Sequence, residues 1–294
     1  MKKSFSYRVV AAVLKLKGVK KVFSTDPIDY KKLRKEDVKN PTGSFYKKNA
    51  TSFTILKSKI TAIETQEKTG VLLLFIHGGA FVSGPVKHHW DTLKKIQKET
   101  KHTVWLCDYP KAPEHKITEI SENIDAVYKQ ALTKFKAENI MLMGDSVGGT
   151  LCLALVQRLV KANKSLPLKM VLITPVLNAT MNNVAINVLD KLDVILGKKG
   201  VLSAKKMCAE NNDLTTPNIS PIYGSFVNLP ETIACLATDD IMYYDAKEML
   251  AKFKENNIKY KVIKGEGMPH IWPLLPFLYE GKLAMKTIIK ELKV

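Results

Sequence analysis

The fold follows from one stretch, Asn139-Ile-Met-Leu-Met-Gly-Asp-Ser-Val-Gly-Gly-Thr-Leu-Cys-Leu-Ala-Leu-Val156. Its apolar first half is typical of a buried strand, and the residues after Val147 have the apolar spacing of a helix. Between the two lies Ser146, with Gly144 two positions before it and Gly148 two positions after it. Small residues at those positions let a serine occupy a strained turn that exposes its hydroxyl above the sheet. The stretch predicts a strand, a tight turn and a helix, with Ser146 as a candidate nucleophile. A plain glycine-rich turn with a capping serine is the alternative.

Strands and helices alternate on both sides of this stretch. Residues 71–76 form a continuous apolar run, as expected of a strand that is covered on both faces. Further strands are expected at 103–107, 169–174, 232–237 and 259–263, with helical patterns between them. Residues 51–63 alternate apolar and polar side chains, as one half-buried strand would. This order predicts an α/β fold with a mostly parallel sheet flanked by helices.

Three segments fall outside the alternation. The first is an amphipathic helix predicted at 4–22, which packs on the body or touches a membrane, and packing is the commoner outcome. We expect one buried face on it, formed by Phe5, Val9, Val10, Val13, Leu14 and Leu16. Residues 26–50 are polar and contain two prolines, so they are predicted to be a connection with little core of its own. Residues 178–220 lapse into helical fragments at 184–196 and 203–211 and are expected to lie over the site.

The chain is strongly basic, with 46 Lys and Arg against 28 Asp and Glu and a net charge of +18. The basic residues are scattered and no Arg cluster alternates with aromatic residues, so we predict no nucleic-acid partner. No apolar run reaches the roughly 18 residues of a membrane span, so we expect no stable membrane insertion. The four cysteines form no C-x-x-C pair, and no export signal is visible, which favours a cytoplasmic location.

A serine hydroxyl needs a base to accept its proton, and the base must be held in one tautomer by a third group. A histidine oriented by a carboxylate meets both needs. The chain offers Ser146, then Asp239 or Asp240, then His270, which is the order of the triad in α/β-hydrolases. His270 is the only one of six histidines in a glycine-rich loop after the last predicted strand. An exposed loop histidine without a catalytic role is the alternative.

Attack on a carbonyl leaves negative charge on its oxygen, which preformed backbone N–H groups stabilise. The loop of residues 77–80, His-Gly-Gly-Ala, directly follows a buried strand, and its glycines let the backbone approach a ligand closely. A second donor is the N–H of Val147, where the helix dipole also favours an anion. A plain glycine turn is the alternative for this loop.

Taken together, the motifs resemble those of the hormone-sensitive-lipase-like branch of the α/β-hydrolase esterases. The matching pieces are His77–Phe81, Asp108–His115, Gly144–Gly149, Ser220–Gly224, Asp240–Met242 and Gly267–His270. The resemblance implies Ser146 as nucleophile, Asp240 as orienting acid and His270 as base.

The same resemblance extends to the oxyanion hole and the cap. It implies an oxyanion hole formed by Gly78, Gly79, Ala80 and Val147, with N–H donors from the last three and a bracing role for His77. The family's commonest form has a third glycine where this chain has Ala80, whose methyl group is expected to exclude bulky tertiary alcohols. By position, residues 1–50 resemble the family's N-terminal cap helices. We therefore predict a single domain over 1–294, with a small helical cap formed by 1–50 and 178–220.

The predicted function is that of a serine carboxylesterase acting on small-molecule esters with short acyl chains, through an acyl-enzyme on Ser146. This chemistry needs only side chains and backbone N–H groups of the chain, so no cofactor and no metal ion are expected. An amidase, a formamidase or a sugar deacetylase would use the same triad, because the motifs do not encode the leaving group. A non-catalytic basic binding protein with a hydrolase fold is the alternative from another class. The sequence leaves open whether the protein forms a homodimer.

Overall fold

The computed structural model describes residues 3–293, which contain one eight-stranded sheet and eleven α-helices. The strands are β1 (Ala50–Ile55), β2 (Ser58–Ile63), β3 (Leu72–Ile76), β4 (Thr103–Asp108), β5 (Ile140–Asp145), β6 (Lys169–Ile173), β7 (Glu231–Ala237) and β8 (Tyr260–Gly265). The helices are α1 (Phe5–Leu16), α2 (Val19–Val22), α3 (Tyr30–Leu33), α4 (Ser44–Asn49), α5 (Lys87–Thr100), α6 (Ile117–Leu132), α7 (Val147–Lys161), α8 (Ile186–Leu192), α9 (Lys198–Cys208), α10 (Tyr243–Glu255) and α11 (Tyr279–Leu292).

The sheet has the strand order β1-β2-β4-β3-β5-β6-β7-β8, and every pair from β4 to β8 is parallel. The two strands β1 and β2 add an antiparallel edge. This arrangement confirms the predicted α/β class and its mostly parallel sheet. Ile76 pairs with Cys107 and with Gly144, so the carboxyl ends of the central strands lie level at one edge. Ligands of such sheets bind at this edge.

Alternate side chains of β3 enter two separate cores. Leu72, Leu74 and Ile76 pack into a core with residues of α6, α7 and α10, whereas Leu73 and Phe75 pack into a core with residues of α5 and α11. All five are fully buried. The uninterrupted apolar run of this strand therefore reflects helices on both faces of the sheet.

The single strand predicted at 51–63 is wrong, because β1 and β2 form a hairpin. The chain reverses at Leu56 and Lys57, and Leu56 adopts a positive φ of 49°. The apolar-polar alternation breaks at the turn, because Ile55 and Leu56 are both apolar and residues 57–59 are all polar, but no Gly, Asn or Pro marks the reversal. The break in the alternation was therefore the only local signal for the turn.

The predicted buried face of the N-terminal helix is wrong for four of its six residues. Helix α1 begins after Ser4, whose Oγ accepts the N–H of Tyr7 at 3.0 Å. It turns Tyr7, Val10 and Leu14 toward the body. The other four apolar residues that were expected to be buried lie on the opposite side and are exposed, namely Phe5, Val9, Val13 and Leu16. Gly18, at φ 62°, then separates α1 from α2.

Residues 26–50 contribute more to the core than their polarity indicates. Ile28 and Tyr46 are buried, and the Tyr46 ring packs edge-on against Trp90 with 5.8 Å between centroids. In the segment 178–220, the helical fragments were predicted at 184–196 and 203–211. The structure instead has α8 at Ile186–Leu192 and α9 at Lys198–Cys208. No helix within residues 3–293 has the length and apolar character needed to cross a membrane.

Candidate active site

Ser146 occupies the turn between β5 and α7 with φ 53° and ψ −124°. Such a backbone conformation is strained for a residue other than glycine and occurs where the surrounding structure enforces it. A Cβ atom on Gly144 would overlap the backbone of Gly148, and one on Gly148 would overlap the carbonyl of Ile76. Glycine at both positions therefore lets the turn close and presents Ser146 at the carboxyl edge of the sheet.

His270 and Asp240 meet at the same edge. Nδ1 of His270 lies 2.7 Å from Oδ2 of Asp240, and both side chains are buried. The other carboxylate oxygen of Asp240 accepts the N–H of Met242 at 2.9 Å, which fixes the acid. Nε2 of His270 has no hydrogen-bond partner among the described residues. His270 and Ser146 line one cavity of about 630 Å³, so the structure brings the three predicted residues together.

Asp239 points away from this cluster. Its Oδ2 lies 2.6 Å from Nζ of Lys3, at the protein surface. Its backbone N–H donates to the carbonyl of Met268, and the hydroxyl of Thr238 accepts the N–H of Gly267. These bonds attach the loop before His270 to the turn after β7, so the two adjacent carboxylates face in different directions.

A third acid, Asp193, lies beside Asp240 and was not predicted from the sequence. Its Oδ1 accepts the N–H groups of Ile195 and Leu196, and its Oδ2 accepts the N–H of Ile241 at 3.2 Å. Burial, together with the charge of Asp240, raises the pKa of Asp193. No sequence pattern places this residue near the turn after β7, because the contact joins segments 48 residues apart.

These carboxylates determine the charge state of His270. Burial lowers the pKa of this imidazole, but the carboxylates of Asp240 and Asp193 outweigh that effect. The net result is that the pKa of His270 is raised above the ordinary 6.5. The neutral form of His270 is therefore reached only at a pH above that value.

The loop after β3 also lines the cavity. The backbone passes through positive φ at Gly79, Ala80 and Phe81. A Cβ atom on Gly79 would overlap the carbonyl of Ser83, so glycine is required there. The hydrogen bonds of residues 3–293 include none in which the N–H of Gly79, Ala80 or Val147 is the donor, and all three residues line the cavity.

Gly78 differs from its neighbours in this loop. Its N–H donates to Oδ1 of Asp145 at 2.9 Å, so this donor is already engaged. His77 lies behind the loop, where its Nδ1 donates to the carbonyl of Gly78 at 2.6 Å and its ring stacks on Tyr109. The Tyr109 hydroxyl in turn donates to the carbonyl of His77 at 3.0 Å. These contacts hold the loop in place, as expected for His77.

A second polar cluster on the cavity wall consists of His88, His89 and Asp145. Each residue offers one atom that could bind a metal ion, and these three atoms lie within 4.8 Å of one another. The N–H of Val86 donates to Nδ1 of His89 at 2.9 Å, so the neutral ring carries its proton on Nε2. Nε2 of His89 lies 3.3 Å from Oδ1 of Asp145 and 3.1 Å from Nε2 of His88. Because a metal ligand needs a lone pair on that nitrogen, this tautomer does not suit a metal ion.

The pKa values in this cluster agree with a hydrogen-bonded role. Burial beside His89 lowers the pKa of His88 to about 3. Burial opposes ionisation of Asp145, but the hydrogen bonds from His89 and from the N–H of Gly78 favour the ionised form and lower the pKa of Asp145. The cluster therefore contains a neutral His88 and an ionised Asp145 that braces Gly78.

Lys205 is a second cavity residue that was not predicted from the sequence. It is fully buried, lines the cavity and donates from Nζ to the carbonyl of Asn178 at 3.0 Å. Burial lowers the pKa of Lys205. A single lysine in a chain with so many lysines carries no signal that it is buried.

Comparison with known proteins agrees with this geometry. A family model described as the alpha/beta hydrolase fold matches residues 73–274. The chain belongs to the alpha/beta hydrolase family. It is 29% identical over 199 residues to an esterase of Acinetobacter venetianus, a match that covers 67% of this chain and 66% of that protein.

Two solved structures resemble this alpha/beta hydrolase over almost its whole length. A candidate esterase from Staphylococcus aureus is 27% identical with a TM-score of 0.85, covering 94% of this chain and 96% of that one. An esterase from the bacterial hormone-sensitive lipase family is 22% identical with a TM-score of 0.86, covering 100% and 99%. The family match confirms the predicted alpha/beta-hydrolase fold, and the matched relatives are named esterases, in line with the predicted resemblance.

Proposed function

We propose that this alpha/beta hydrolase is a serine carboxylesterase that cleaves small-molecule esters with short acyl chains through an acyl-enzyme on Ser146. One observation gives the main support. His270 donates from Nδ1 to the buried Asp240 and leaves Nε2 without a partner, in the same cavity as the strained Ser146. Nucleophile, base and orienting acid are thus assembled in the order that acyl transfer requires.

The first step forms the acyl-enzyme. Because Nδ1 carries the proton that is donated to Asp240, Nε2 of His270 has the lone pair that accepts the proton of Ser146 Oγ. Oγ bonds to the carbonyl carbon of the ester, and the electron pair of the C=O bond moves to oxygen. The imidazolium then returns its proton to the alcohol oxygen as the C–O bond breaks. The ionised Asp240 stabilises the imidazolium between these transfers.

The negative charge on the carbonyl oxygen requires donors that are already in place. We infer that the N–H groups of Gly79, Ala80 and Val147 supply them, because they line the cavity and donate to no protein acceptor among residues 3–293. Gly78 has a different role in this proposal. Its bond to Asp145 fixes the loop, so that the two following N–H groups keep their direction.

In the second step, water replaces the alcohol. Nε2 of His270 accepts a proton from the water, the water oxygen bonds to the acyl carbon, and the proton passes to Ser146 Oγ as the acyl bond breaks. The products are a carboxylic acid and the free enzyme. The pair His270 and Asp240 therefore acts twice, first for the alcohol and then for water.

The cavity supports a short acyl chain and a small alcohol. Its volume of about 630 Å³ lies in the range of small-molecule sites. Apolar residues from α1, α2 and the segment after α8 line it, including Leu14, Val22, Phe23, Ile195 and Leu196. We infer that residues 1–50 and 178–220 form a helical cap over one domain and limit the length of the acyl chain.

Three further predictions remain proposals, and one question stays open. All four cysteines are buried and unpaired, which is expected of a reducing compartment, and we propose a cytoplasmic location on this ground. We also propose that the protein does not insert stably into a membrane and has no nucleic-acid partner. Whether it forms a homodimer stays open.

A substrate panel tests the proposal. Matched p-nitrophenyl esters and p-nitroanilides, from acetyl to longer acyl groups, are assayed with the wild type, with Ser146→Ala and with the surface control Ser165→Ala. We expect the acetyl and butyryl esters to be turned over fastest, and Ser146→Ala to lower kcat/KM by about 10⁴ or more while Ser165→Ala has no effect. Faster turnover of the anilides would identify an amidase, and activity that persists in Ser146→Ala would overturn the assignment.

A further inference from the structure

Helix α1 presents a row of apolar side chains to solvent. Phe5 and Leu16 are 81% and 88% exposed, and Val9 and Val13 are 45% and 44% exposed. An α-helix advances about 100° per residue, so these four side chains fall within an arc of about 80°. We call them the outer stripe. Because Tyr7, Val10 and Leu14 already attach α1 to the body, the outer stripe has no role in holding the helix in place.

Basic side chains flank the outer stripe on both sides. At the same helical spacing, Arg8 and Lys15 lie along one side of the stripe and Lys17 along the other. Residues 4–25 contain five basic residues and no acidic residue. Among the described side chains, Arg8, Lys15, Lys17 and Lys21 form no ion pair. An apolar strip between cationic borders is the pattern of a helix that lies in the plane of an anionic lipid surface.

Neighbouring segments expose further apolar side chains. Val184, Val188 and Leu192 follow one another at four-residue spacing on and before α8, and they are 80%, 64% and 50% exposed. Nζ of Lys20 donates to the carbonyl of Asp193 at 2.8 Å, which ties α2 to the end of α8.

Apolar side chains are also exposed at the start of α11. The N–H of Tyr279 donates to Ser6 Oγ at 3.0 Å, which brings the exposed Phe277 and Tyr279 beside the beginning of α1. Exposed apolar residues are thus concentrated on the segments around α1.

These segments also border the cavity that contains Ser146. Leu14 of α1 and Lys17, which directly follows this helix, line it, as do Val19 and Val22 of α2 and residues 195–196 after α8. A surface that contacts α1 and α8 would therefore adjoin the cavity.

We propose that the outer stripe, with its basic borders, docks this protein on the surface of an anionic lipid bilayer. The charge decides between the candidate occupants. A second copy of the chain would bring another net charge of +18 against the first, whereas acidic headgroups neutralise the basic borders. The apolar side chains would enter the boundary between headgroups and acyl chains, and α1 would lie flat, since its 12 residues are too few to span. Esters dissolved in the bilayer would then be held next to the cavity.

Flotation with lipid vesicles tests the proposal on the full chain. Vesicles of phosphatidylcholine alone are compared with vesicles that contain equal amounts of phosphatidylcholine and phosphatidylglycerol, at low salt and at about 0.15 M. The stripe variant is Phe5→Gln with Val9→Gln and Leu16→Gln, because glutamine is a good helix former. Its matched control is Leu56→Gln with Val227→Gln and Val262→Gln, three exposed apolar residues that do not line the cavity.

A charge variant separates the basic borders from the apolar stripe. It combines Arg8→Gln, Lys15→Gln and Lys21→Gln, and its matched control combines the exposed Lys129→Gln, Lys286→Gln and Lys290→Gln. Circular dichroism confirms that each variant is folded. Ser146→Ala is included because binding does not depend on the proposed hydrolysis, so a failure of docking and a failure of catalysis can be told apart.

We expect the wild type and Ser146→Ala to float with the mixed vesicles, more strongly at low salt, and to stay largely unbound with phosphatidylcholine alone. The stripe variant and the charge variant should each bind at least about tenfold more weakly than their controls. Equal binding by the stripe variant and its control would overturn the proposal, as would wild type that does not bind the mixed vesicles. Sedimentation velocity is run in parallel, and a dimer that the stripe variant abolishes would identify a second copy as the occupant and contradict the lipid assignment.

Discussion

Nδ1 of His270 lies 2.7 Å from Oδ2 of Asp240, although the two residues are 30 positions apart in the chain. The neighbouring Asp239 pairs with Lys3 at the surface instead. We therefore expect Asp240→Asn to lower kcat/KM by about 10⁴, the scale seen elsewhere when an orienting Asp becomes Asn and the wrong tautomer is favoured. Asp239→Asn, the matched control, should lower kcat/KM by about tenfold or less. Both variants are compared in one p-nitrophenyl acetate assay, and the reverse ranking would assign the orienting acid to Asp239.

The pH dependence of kcat/KM should follow the ionisation of His270 in the free enzyme. Only the neutral imidazole accepts the serine proton, and the pKa of His270 is raised above 6.5. Activity should therefore rise with pH, with its midpoint above 6.5, and then level off. A pH series of kcat/KM on one activated ester measures the midpoint. A midpoint clearly below 6.5 would contradict the influence of the two carboxylates.

Asp193 should act on that midpoint without taking part in the chemistry. Its carboxylate raises the pKa of His270, so Asp193→Asn should move the midpoint of the kcat/KM profile to lower pH. We expect the plateau to stay within about tenfold of the wild type, since the side chain touches Ile241 and not His270. Asp213→Asn, an exposed acid in the same segment, is the control and should leave the midpoint unchanged. A loss of plateau activity with no shift would mean that Asp193 has a structural role only.

Ala80 should limit the alcohol that the site accepts. It lies on the cavity wall at φ 54°, a conformation that glycine adopts without strain. Ala80→Gly keeps the backbone N–H and removes the methyl group, so turnover of p-nitrophenyl acetate should change by less than about threefold. Turnover of tert-butyl acetate relative to ethyl acetate should increase about tenfold or more. An unchanged ratio would place the size limit elsewhere in the cavity.

The sequence predicted what depends on local backbone geometry. The turn at Ser146 needs glycine at 144 and 148, and the loop after β3 needs glycine at 79. Both features can therefore be recognised in the sequence by these glycines. The uninterrupted apolar run of β3 likewise reports that both faces of the strand are covered. The family resemblance adds the prediction that Asp240 is the orienting acid.

Other features depend on contacts between distant segments, and the sequence did not reveal them. Asp193 reaches Ile241 only because the segment before α9 folds back over the sheet. The outer stripe of α1 could not be distinguished from a buried face, because both faces of this helix are apolar. The hairpin of β1 and β2 has no Gly, Asn or Pro at its reversal, and the break in the alternation at residues 55–59 does not by itself specify a turn.

The central claim is that Ser146 forms a covalent acyl-enzyme, and intact-protein mass spectrometry tests it most directly. The protein is treated with a p-nitrophenyl phosphonate, and the adduct is located by peptide mapping alongside residual esterase activity. We predict one adduct per chain on Ser146, loss of activity in proportion to labelling, and no adduct on Ser146→Ala. An adduct on another residue, or full activity in protein whose Ser146 is completely labelled, would contradict the account.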